Sequence, residues 1–135
     1  MTKRRQAREF VLKVLYAYEI FNRDVNEIIE EVQKESSIPA GQISFIHFYV
    51  GETIKNLNSL DKEIERLAEN WKLDRIAVID RIILRMGLCE LHFMPDIPEK
   101  VAINEAVDLA KKYSTSDSSS FVNGILDAAL TEIKQ

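Results

Sequence analysis

The chain has 135 residues, of which 46% are hydrophobic and 30% are charged, and its formal net charge is −4. This length suits one compact domain that buries roughly two-thirds of the surface its unfolded chain exposes. The single cysteine excludes an internal disulfide, and no apolar run approaches the roughly 20 residues that a membrane-spanning helix needs. We therefore expect a cytoplasmic protein without a membrane segment.

Helical periodicity dominates the first half of the chain, in which turn-forming residues are few. A first helix is predicted at about 2–21, with apolar residues at three- and four-residue spacing. Asp24, with Glu27 three residues later, forms a capping-box pattern that opens a second helix at about 24–35. A third helix is predicted at about 43–57, where the apolar residues again fall on one stripe.

The second half contains four further predicted helices. The first covers about 60–71, and Asp74 can cap the next, at about 75–94, which is apolar on most sides and should therefore be central. Pro98 opens the following helix, because proline is tolerated in a first turn. Residues 114–120 read as a polar loop whose last residues cap a final helix. We therefore predict an all-α fold, a compact bundle of about seven helices.

Residue patterns that would indicate catalysis or metal binding are weak. Asp74 and Asp80 are six residues apart on one predicted helix and point to different sides of it. Cys89 and His92 have a spacing that could share a metal, but His47 is the only other histidine, so carboxylates would have to complete the site. We expect no enzymatic activity, no metal and no cofactor, and a role in binding instead.

Positive charge is concentrated at the start of this acidic chain. Residues 1–18 contain one acidic residue, Glu9, against five basic residues, so their net charge is +4 and that of the remainder is −8. Cations at a helix N-terminus oppose the helix dipole, which argues against a purely structural reason for them. The basic residues are Lys3, Arg4, Arg5, Arg8 and Lys13.

A helical wheel separates these residues from the apolar stripe. On a helix that turns roughly 100° per residue, Arg4, Arg8 and Arg5 project at about 40°, 80° and 140°. Leu12 and Tyr16 project at about 120° and 160°, whereas the apolar stripe centres at about 330°. Arginine pairs with phosphate oxygens and tyrosine can stack on an unpaired base, as in proteins that hold single strands. The first helix therefore indicates nucleic-acid binding, with RNA weakly favoured over duplex DNA.

Several segments of the chain resemble a known family. "LDRIAVIDRIILRMGLCEL", "DIPEKVAINEAVDLAKKY" and "FVNGILDAAL" are similar to successive signatures of the NusB family, and "RRQAREFVLKVLYAYE" resembles its arginine-rich first helix. The resemblance implies two helical subdomains, an N-terminal one at about 1–58 and a C-terminal one at about 59–135. It also implies a bacterial transcription antitermination factor without catalytic activity.

The resemblance further implies partners and positions for them. Members of the family bind the single-stranded boxA element of ribosomal RNA leaders together with NusE, a small-subunit ribosomal protein, within an RNA polymerase antitermination complex. By position, Tyr16 and Asp80 match places where NusE docks, and Tyr16 also lies near the RNA. Asn123 and Gly124 match an "NG" pair that we expect to serve close helix packing. The implied RNA-binding residues are Lys3, Arg4, Arg5, Arg8, Tyr16, Asp117, Ser118, Ser120 and Phe121.

Three positions depart from the family pattern, and two alternatives stay open. Gln6 interrupts the arginine run, Ser114 replaces a common glycine, and Ser120 replaces a common basic residue. Fewer cations predict RNA binding that is weaker or depends more on the partner. The chain could also resemble the N-terminal domain of a ribosomal RNA cytosine methyltransferase. A homodimer that hides its RNA-binding face is the second alternative.

Overall fold

The fold was obtained as a computed structural model, which describes residues 2–69 and 71–135. Within those residues it contains seven α-helices and no strand, so the all-α prediction is confirmed. A short 3₁₀ turn, Leu73–Arg75, precedes the fifth helix. The helices are α1 Lys3–Phe21, α2 Val25–Glu35, α3 Ile43–Lys55, α4 Leu57–Leu67, α5 Val78–Phe93, α6 Glu99–Tyr113 and α7 Ser116–Ile133.

The chain divides into two compact units, residues 1–51 and residues 52–135. The division falls within α3, whereas the sequence placed a subdomain boundary between residues 58 and 59, within α4. We therefore describe the units as residues 1–51 and 52–135, and each of them has buried apolar side chains of its own.

The first unit contains α1, α2 and most of α3. Thr2 caps α1 by accepting a hydrogen bond from the backbone N–H of Arg5, and α1 ends at Asn22 in the left-handed conformation. Asp24 accepts hydrogen bonds from the N–H groups of Asn26 and Glu27, which confirms the predicted cap of α2. The buried apolar residues of this unit are Ala7, Phe10, Val11, Leu12, Val14, Leu15, Ile28, Ile29, Ile46, Tyr49 and Val50.

The second unit is built around α5, which packs against α4, α6 and α7. Every residue from Ile82 to Glu90 is buried, so the prediction of a central helix is confirmed. The buried Arg85 pairs with Asp61 of α4 through two bonds, from Nε at 2.7 Å and from Nη2 at 3.0 Å. A fork of this kind fixes geometry as well as contributing energy, so it ties α4 to the central helix.

Three helix ends differ from the sequence prediction. Helix α4 begins at Leu57 and ends at Leu67, so Trp71 lies outside it. Asp74 belongs to the 3₁₀ turn and does not cap α5, whose N-cap is Ala77. The predicted loop at 114–120 is also wrong, because α7 begins at Ser116. The Oγ1 of Thr115 caps it early by accepting the backbone N–H of Ser118.

None of the helices in residues 2–69 and 71–135 combines the length and the apolar character that crossing a bilayer requires.

The glycine that permits close helix packing is Gly87 of α5. A Cβ atom at Gly87 would lie 2.6 Å from Cδ1 of Leu126 in α7, much closer than real atoms approach. A Cβ at Gly124, by contrast, would meet nothing within 4 Å, and Gly124 is exposed. The prediction that Gly124 serves close packing is therefore wrong, since α7 turns that residue away from the core.

Replacing Gly87 with alanine should destabilise the fold by about 1–3 kcal/mol, because the new Cβ would force the fully buried Leu126 to shift within the core. Gly124→Ala is the matched control, and it should be neutral or stabilising by up to about 1 kcal/mol, as for any exposed glycine inside a helix. Urea unfolding followed by circular dichroism measures both. Equal effects of the two substitutions would contradict the close α5–α7 contact.

Candidate nucleic-acid interface

The basic residues at the start of α1 differ in exposure. Lys3 and Arg4 are exposed, Arg5 is half-buried, and Arg8 is buried. No acidic residue lies in the first turn to offset these cations, so the helix dipole and the arginine charges oppose each other. A bound anion would relieve that opposition, because the N-terminus of a helix attracts negative charge.

Arg4 is held by Gln42, which directly precedes α3, and by Phe45 in the first turn of α3. Its guanidinium carbon lies 3.9 Å from the centroid of the Phe45 ring, which is a close cation–π contact. Its Nε donates a hydrogen bond of 2.7 Å to Oε1 of Gln42. These contacts join residues that are about 40 positions apart, and helical periodicity within α1 gives no sign of them.

The wheel prediction is wrong for Arg8 and Leu12. It placed both beside the apolar stripe on the arginine face, but each is only 3% exposed. The buried face of α1 is therefore wider than the apolar stripe alone indicates. The guanidinium carbon of Arg8 lies 5.7 Å from the centroid of Phe45, so this arginine lies within cation–π range of the ring that also contacts Arg4. Arg8 is too buried to reach a ligand directly in this conformation.

The C-terminal half of α1 exposes apolar side chains. Tyr16 and Ile20 are exposed four residues apart, and Phe21 is 64% exposed. Residues at this spacing share one helix face, so Tyr16 and Ile20 form an exposed apolar strip. Among these residues, only Tyr16 was predicted from the sequence, although Ile20, at about 200° on the wheel, also lies away from the apolar stripe. Phe21 was predicted to belong to that stripe, and its exposure shows that this prediction is wrong.

Hydroxyl groups organise the start of α7. The Oγ of Ser118 accepts hydrogen bonds from the hydroxyls of Ser114 at 2.9 Å and Thr115 at 3.0 Å. It donates its own proton to Oδ2 of Asp80 at 2.8 Å. The Ser118 hydroxyl is thereby fully used, with one donated and two accepted bonds. Ser114 thus takes part in fixing the first turn of α7.

Asp80 is a buried residue in the first turn of α5. It is 6% exposed, and its Oδ1 atom has no hydrogen-bond partner among the described residues. The predicted contact of Asp80 with a partner stays a prediction, because a residue that is 6% exposed offers a partner little surface in this conformation. The side chain instead links the start of α5 to the start of α7, two segments that are 38 residues apart in the chain.

A surface cavity of about 310 Å³ lies at this junction. It brings together three residues predicted from the resemblance, Asp117, Ser118 and Phe121, with the buried carboxylate of Asp80. Ser120, also predicted, is exposed but does not line the cavity. The lining residues are Trp71, Arg75, Ile76, Ala77, Asp80, Asp117, Ser118 and Phe121.

Trp71 is one of four lining residues that were not predicted as site residues, together with Arg75, Ile76 and Ala77. It was assigned to the end of a helix, but it follows α4 and is 52% exposed. Trp71 continues the three- and four-residue spacing of Leu60, Ile64 and Leu67, so periodicity gave no sign of its exposure. The available signal was that the only tryptophan of the chain stands in the polar segment "ENWKLD". Two aromatic side chains, Trp71 and Phe121, together with two carboxylates and the cation Arg75, suit a planar ligand that carries both hydrogen-bond donors and acceptors, as a nucleobase does.

Cys89 and His92 have separate environments. Cys89 is fully buried, and burial raises the pKa of its thiol to about 11, although a hydrogen bond with Thr53 opposes the shift. The Nε2 of His92 lies 2.8 Å from a carboxylate oxygen of Glu63. Within residues 2–69 and 71–135, no three histidine, cysteine or acidic side chains gather in a way that could hold a metal.

The fold and these groups define an all-helical binding protein with a basic helix start and a separate aromatic cavity. The profile of the NusB family matches residues 5–131, and the chain belongs to that family. Transcription antitermination protein NusB of Chloroherpeton thalassium is 41% identical over 97% of this chain and 63% of its own length. The protein of the same name from Nitratiruptor sp. is 40% identical over 99% of this chain and 96% of its own length.

Solved structures agree with the family. Antitermination factor NusB in a crystal structure with NusE and dsRNA has a TM-score of 0.85 and 29% identity, covering 95% of this chain and 96% of its own. NusB of T. maritima has a TM-score of 0.85 and 37% identity over 95% of this chain and 89% of its own. The relatives described are antitermination proteins, so the comparisons favour that function over a methyltransferase domain.

Ser118→Ala should destabilise the protein by about 1–3 kcal/mol, because it leaves the buried Asp80 carboxylate without its hydroxyl donor. Ser120→Ala is the matched control, and this exposed serine should change the free energy of unfolding by less than about 0.5 kcal/mol. Urea unfolding of both variants provides the measurement. If Ser118→Ala were as stable as Ser120→Ala, the Asp80–Ser118 bond would contribute nothing to the fold.

The Cys89 thiol should resist alkylation by iodoacetamide in the native protein near neutral pH. Its pKa of about 11 keeps it protonated, and its burial excludes the reagent. The raised pKa of the Cys89 thiol also means that the unfolded chain loses this proton at a lower pH than the folded chain does. The free energy of unfolding should therefore fall as the pH rises through the range of about 9 to 11. Mass spectrometry of native and guanidinium-unfolded protein measures the labelling. Rapid labelling of the native protein would contradict the burial.

Proposed function

We propose that this protein is a transcription antitermination factor that binds the boxA element of ribosomal RNA leader transcripts together with NusE. The observation that carries the proposal is the family match over residues 5–131. It is supported by the relatives, which bear the name of an antitermination protein. Acting on nascent bacterial transcripts, the protein works in the cytoplasm, within an RNA polymerase antitermination complex.

The start of α1 supplies phosphate contacts in this proposal. Lys3 and Arg4 are exposed, and Arg5 is half-buried beside them. Cations placed where the helix dipole is also positive create a local anion site on a chain whose overall charge is −4. Because Arg8 is buried, its role is indirect, through the positive charge it adds beneath the first turn.

The cavity at the start of α7 supplies contacts with bases. An unpaired base can stack on Trp71 or Phe121, while the carboxylate of Asp117 accepts its amino protons. The cavity has mixed charge, because Arg75 lines it together with the carboxylates of Asp80 and Asp117. We expect those carboxylates to accept hydrogen bonds from base edges, while the start of α1 binds the backbone. Ser120 lies next to this region as an exposed hydroxyl that can bond to sugar or phosphate.

Stacking of this kind requires unpaired bases, which favours single-stranded boxA as the ligand. The related NusB–NusE structure contains dsRNA. A direct comparison of single-stranded and duplex boxA therefore belongs in the test. Tighter binding of the duplex would contradict the proposed contact of bases with Trp71 and Phe121.

NusE is proposed to dock on Tyr16, where α1 exposes an apolar strip that continues to Ile20. Such a strip suits a protein partner, since burying it removes apolar surface from water. Asp80 contributes by holding Ser118 and the first turn of α7 in place. Self-association through an exposed apolar face stays a prediction, and sedimentation across a concentration series tests it.

Arg5→Ala should weaken binding of fluorescent single-stranded boxA RNA and lower the slope of log affinity against log salt by about 0.7, as expected for one lost phosphate contact. Lys13→Ala, on another side of the same helix, is the control and should change affinity less. Tyr16→Ala should weaken binding mainly when NusE is present. Fluorescence anisotropy at several salt concentrations measures all three variants.

Unchanged affinity and an unchanged salt slope for Arg5→Ala would show that the start of α1 is not the RNA-binding surface. If Tyr16→Ala behaved like the wild type with NusE present, Tyr16 would be removed from the partner surface. Thermal unfolding of each variant separates a loss of binding from a loss of fold.

A further inference from the structure

We propose that Phe45 and Gln42 are positioning residues that hold the Arg4 guanidinium ready to bind a phosphate group of RNA. This inference rests on the proposed function, since it concerns how the start of α1 binds RNA. Neither Phe45 nor Gln42 stood out in the sequence, and both contact Arg4, Gln42 from directly before α3 and Phe45 from its first turn.

The contacts fix the Arg4 side chain at two points. Phe45 lies against the guanidinium, 3.9 Å from its carbon to the ring centroid, and Gln42 accepts the Nε proton at 2.7 Å. A free arginine side chain samples many rotamers, and binding a ligand orders them at a cost in affinity. Arg4 is already ordered before RNA arrives, so this cost is lowered.

The remaining donors of Arg4 are in the right place to bind an anion. Gln42 takes the Nε donor of Arg4, so the bond to Gln42 does not occupy the terminal nitrogens Nη1 and Nη2. Arg4 as a whole is exposed, so an anionic ligand can approach this side chain. Arginine donors in this planar arrangement match the oxygens of a phosphate group, and they bind it with two parallel hydrogen bonds.

The Phe45 ring is itself held in orientation. Tyr49, one turn further along α3, is fully buried and contacts Phe45 edge to face at a centroid distance of 5.5 Å. Arg8 lies 5.7 Å from the same ring centroid. The ring thus anchors Arg4, and the buried Arg8 adds positive charge near the place where a phosphate would bind.

The alternative is that Phe45 touches RNA itself, as a stacking surface for a base. The close contact with Arg4 argues against this alternative, because the guanidinium already covers the ring. The two roles predict different results in a double-mutant cycle. A positioning residue acts only through Arg4, whereas a stacking residue acts with or without it.

The experiment measures single-stranded boxA RNA affinity for Phe45→Leu, Gln42→Met and Arg4→Ala in the full chain, alone and in combination. Phe45→Leu and Gln42→Met should each weaken binding about two- to tenfold, the range expected for ordering one long side chain. Neither should weaken it further once Arg4 is alanine. Phe45→Tyr keeps the ring face and should bind as the wild type does.

Phe48→Leu is the matched control for the aromatic substitution. Phe48 lies on the same helix and is 50% exposed, whereas the cation–π contact of Arg4 is with Phe45. The same chemical change there should leave RNA affinity unchanged. Thermal unfolding of all variants is recorded, and affinities are compared under conditions where each protein is fully folded.

The outcomes separate this inference from the proposed function. If Arg4→Ala weakens binding while Phe45→Leu and Gln42→Met do not, the positioning role is wrong and the function stands. If Phe45→Leu weakens binding equally in the Arg4→Ala background, Phe45 contacts RNA directly and the positioning role is again wrong. If Arg4→Ala and Arg5→Ala both leave affinity unchanged, the proposed RNA-binding surface itself fails.

Discussion

The burial of α5 is the constraint on which the unit of residues 52–135 depends. This helix packs against α4, α6 and α7, and every residue from Ile82 to Glu90 is buried. A helix enclosed in this way leaves no room for adjustment, so its neighbours must fit its surface. Gly87 provides the space into which Leu126 of α7 packs. The buried positive charge of Arg85 is compensated by the carboxylate of Asp61 in α4. Apolar contact and one ion pair together set where α4 and α7 lie.

The position of α7 then determines the cavity at its first turn. Because α7 packs against α5, the hydroxyl of Ser118 reaches the carboxylate of Asp80, and the same approach brings Phe121 near Trp71. The buried Asp80 retains one oxygen without a hydrogen-bond partner among the described residues, which is costly in a structural role alone. Sites that bind ligands often retain unsatisfied polar groups of this kind, and the cavity beside Asp80 fits that pattern.

Helix α1 begins with an unfavourable electrostatic arrangement. Its first turn gathers positive charge at the end of the helix that is already positive, which lowers the stability of the free protein. Part of the charge is accommodated within residues 1–51, where Arg4 lies on Phe45 and Arg8 is buried within cation–π range of the same ring. The exposed part is well suited to anions. An acidic body with one basic helix start favours a specific anionic ligand and disfavours indiscriminate binding of RNA.

The sequence by itself determined the helices, the Asp24 cap, the basic start of α1 and the family, because these depend on neighbours within a few residues or on motifs in linear order. It did not determine which arginines are exposed, since a wheel shows only the direction of a side chain and not what packs over it. Only the tertiary structure decided that Arg8 is buried and that Gly87 is the packing glycine. The Asp80–Ser118 bond likewise joins residues 38 positions apart, and such contacts exist only once separate helices have packed together.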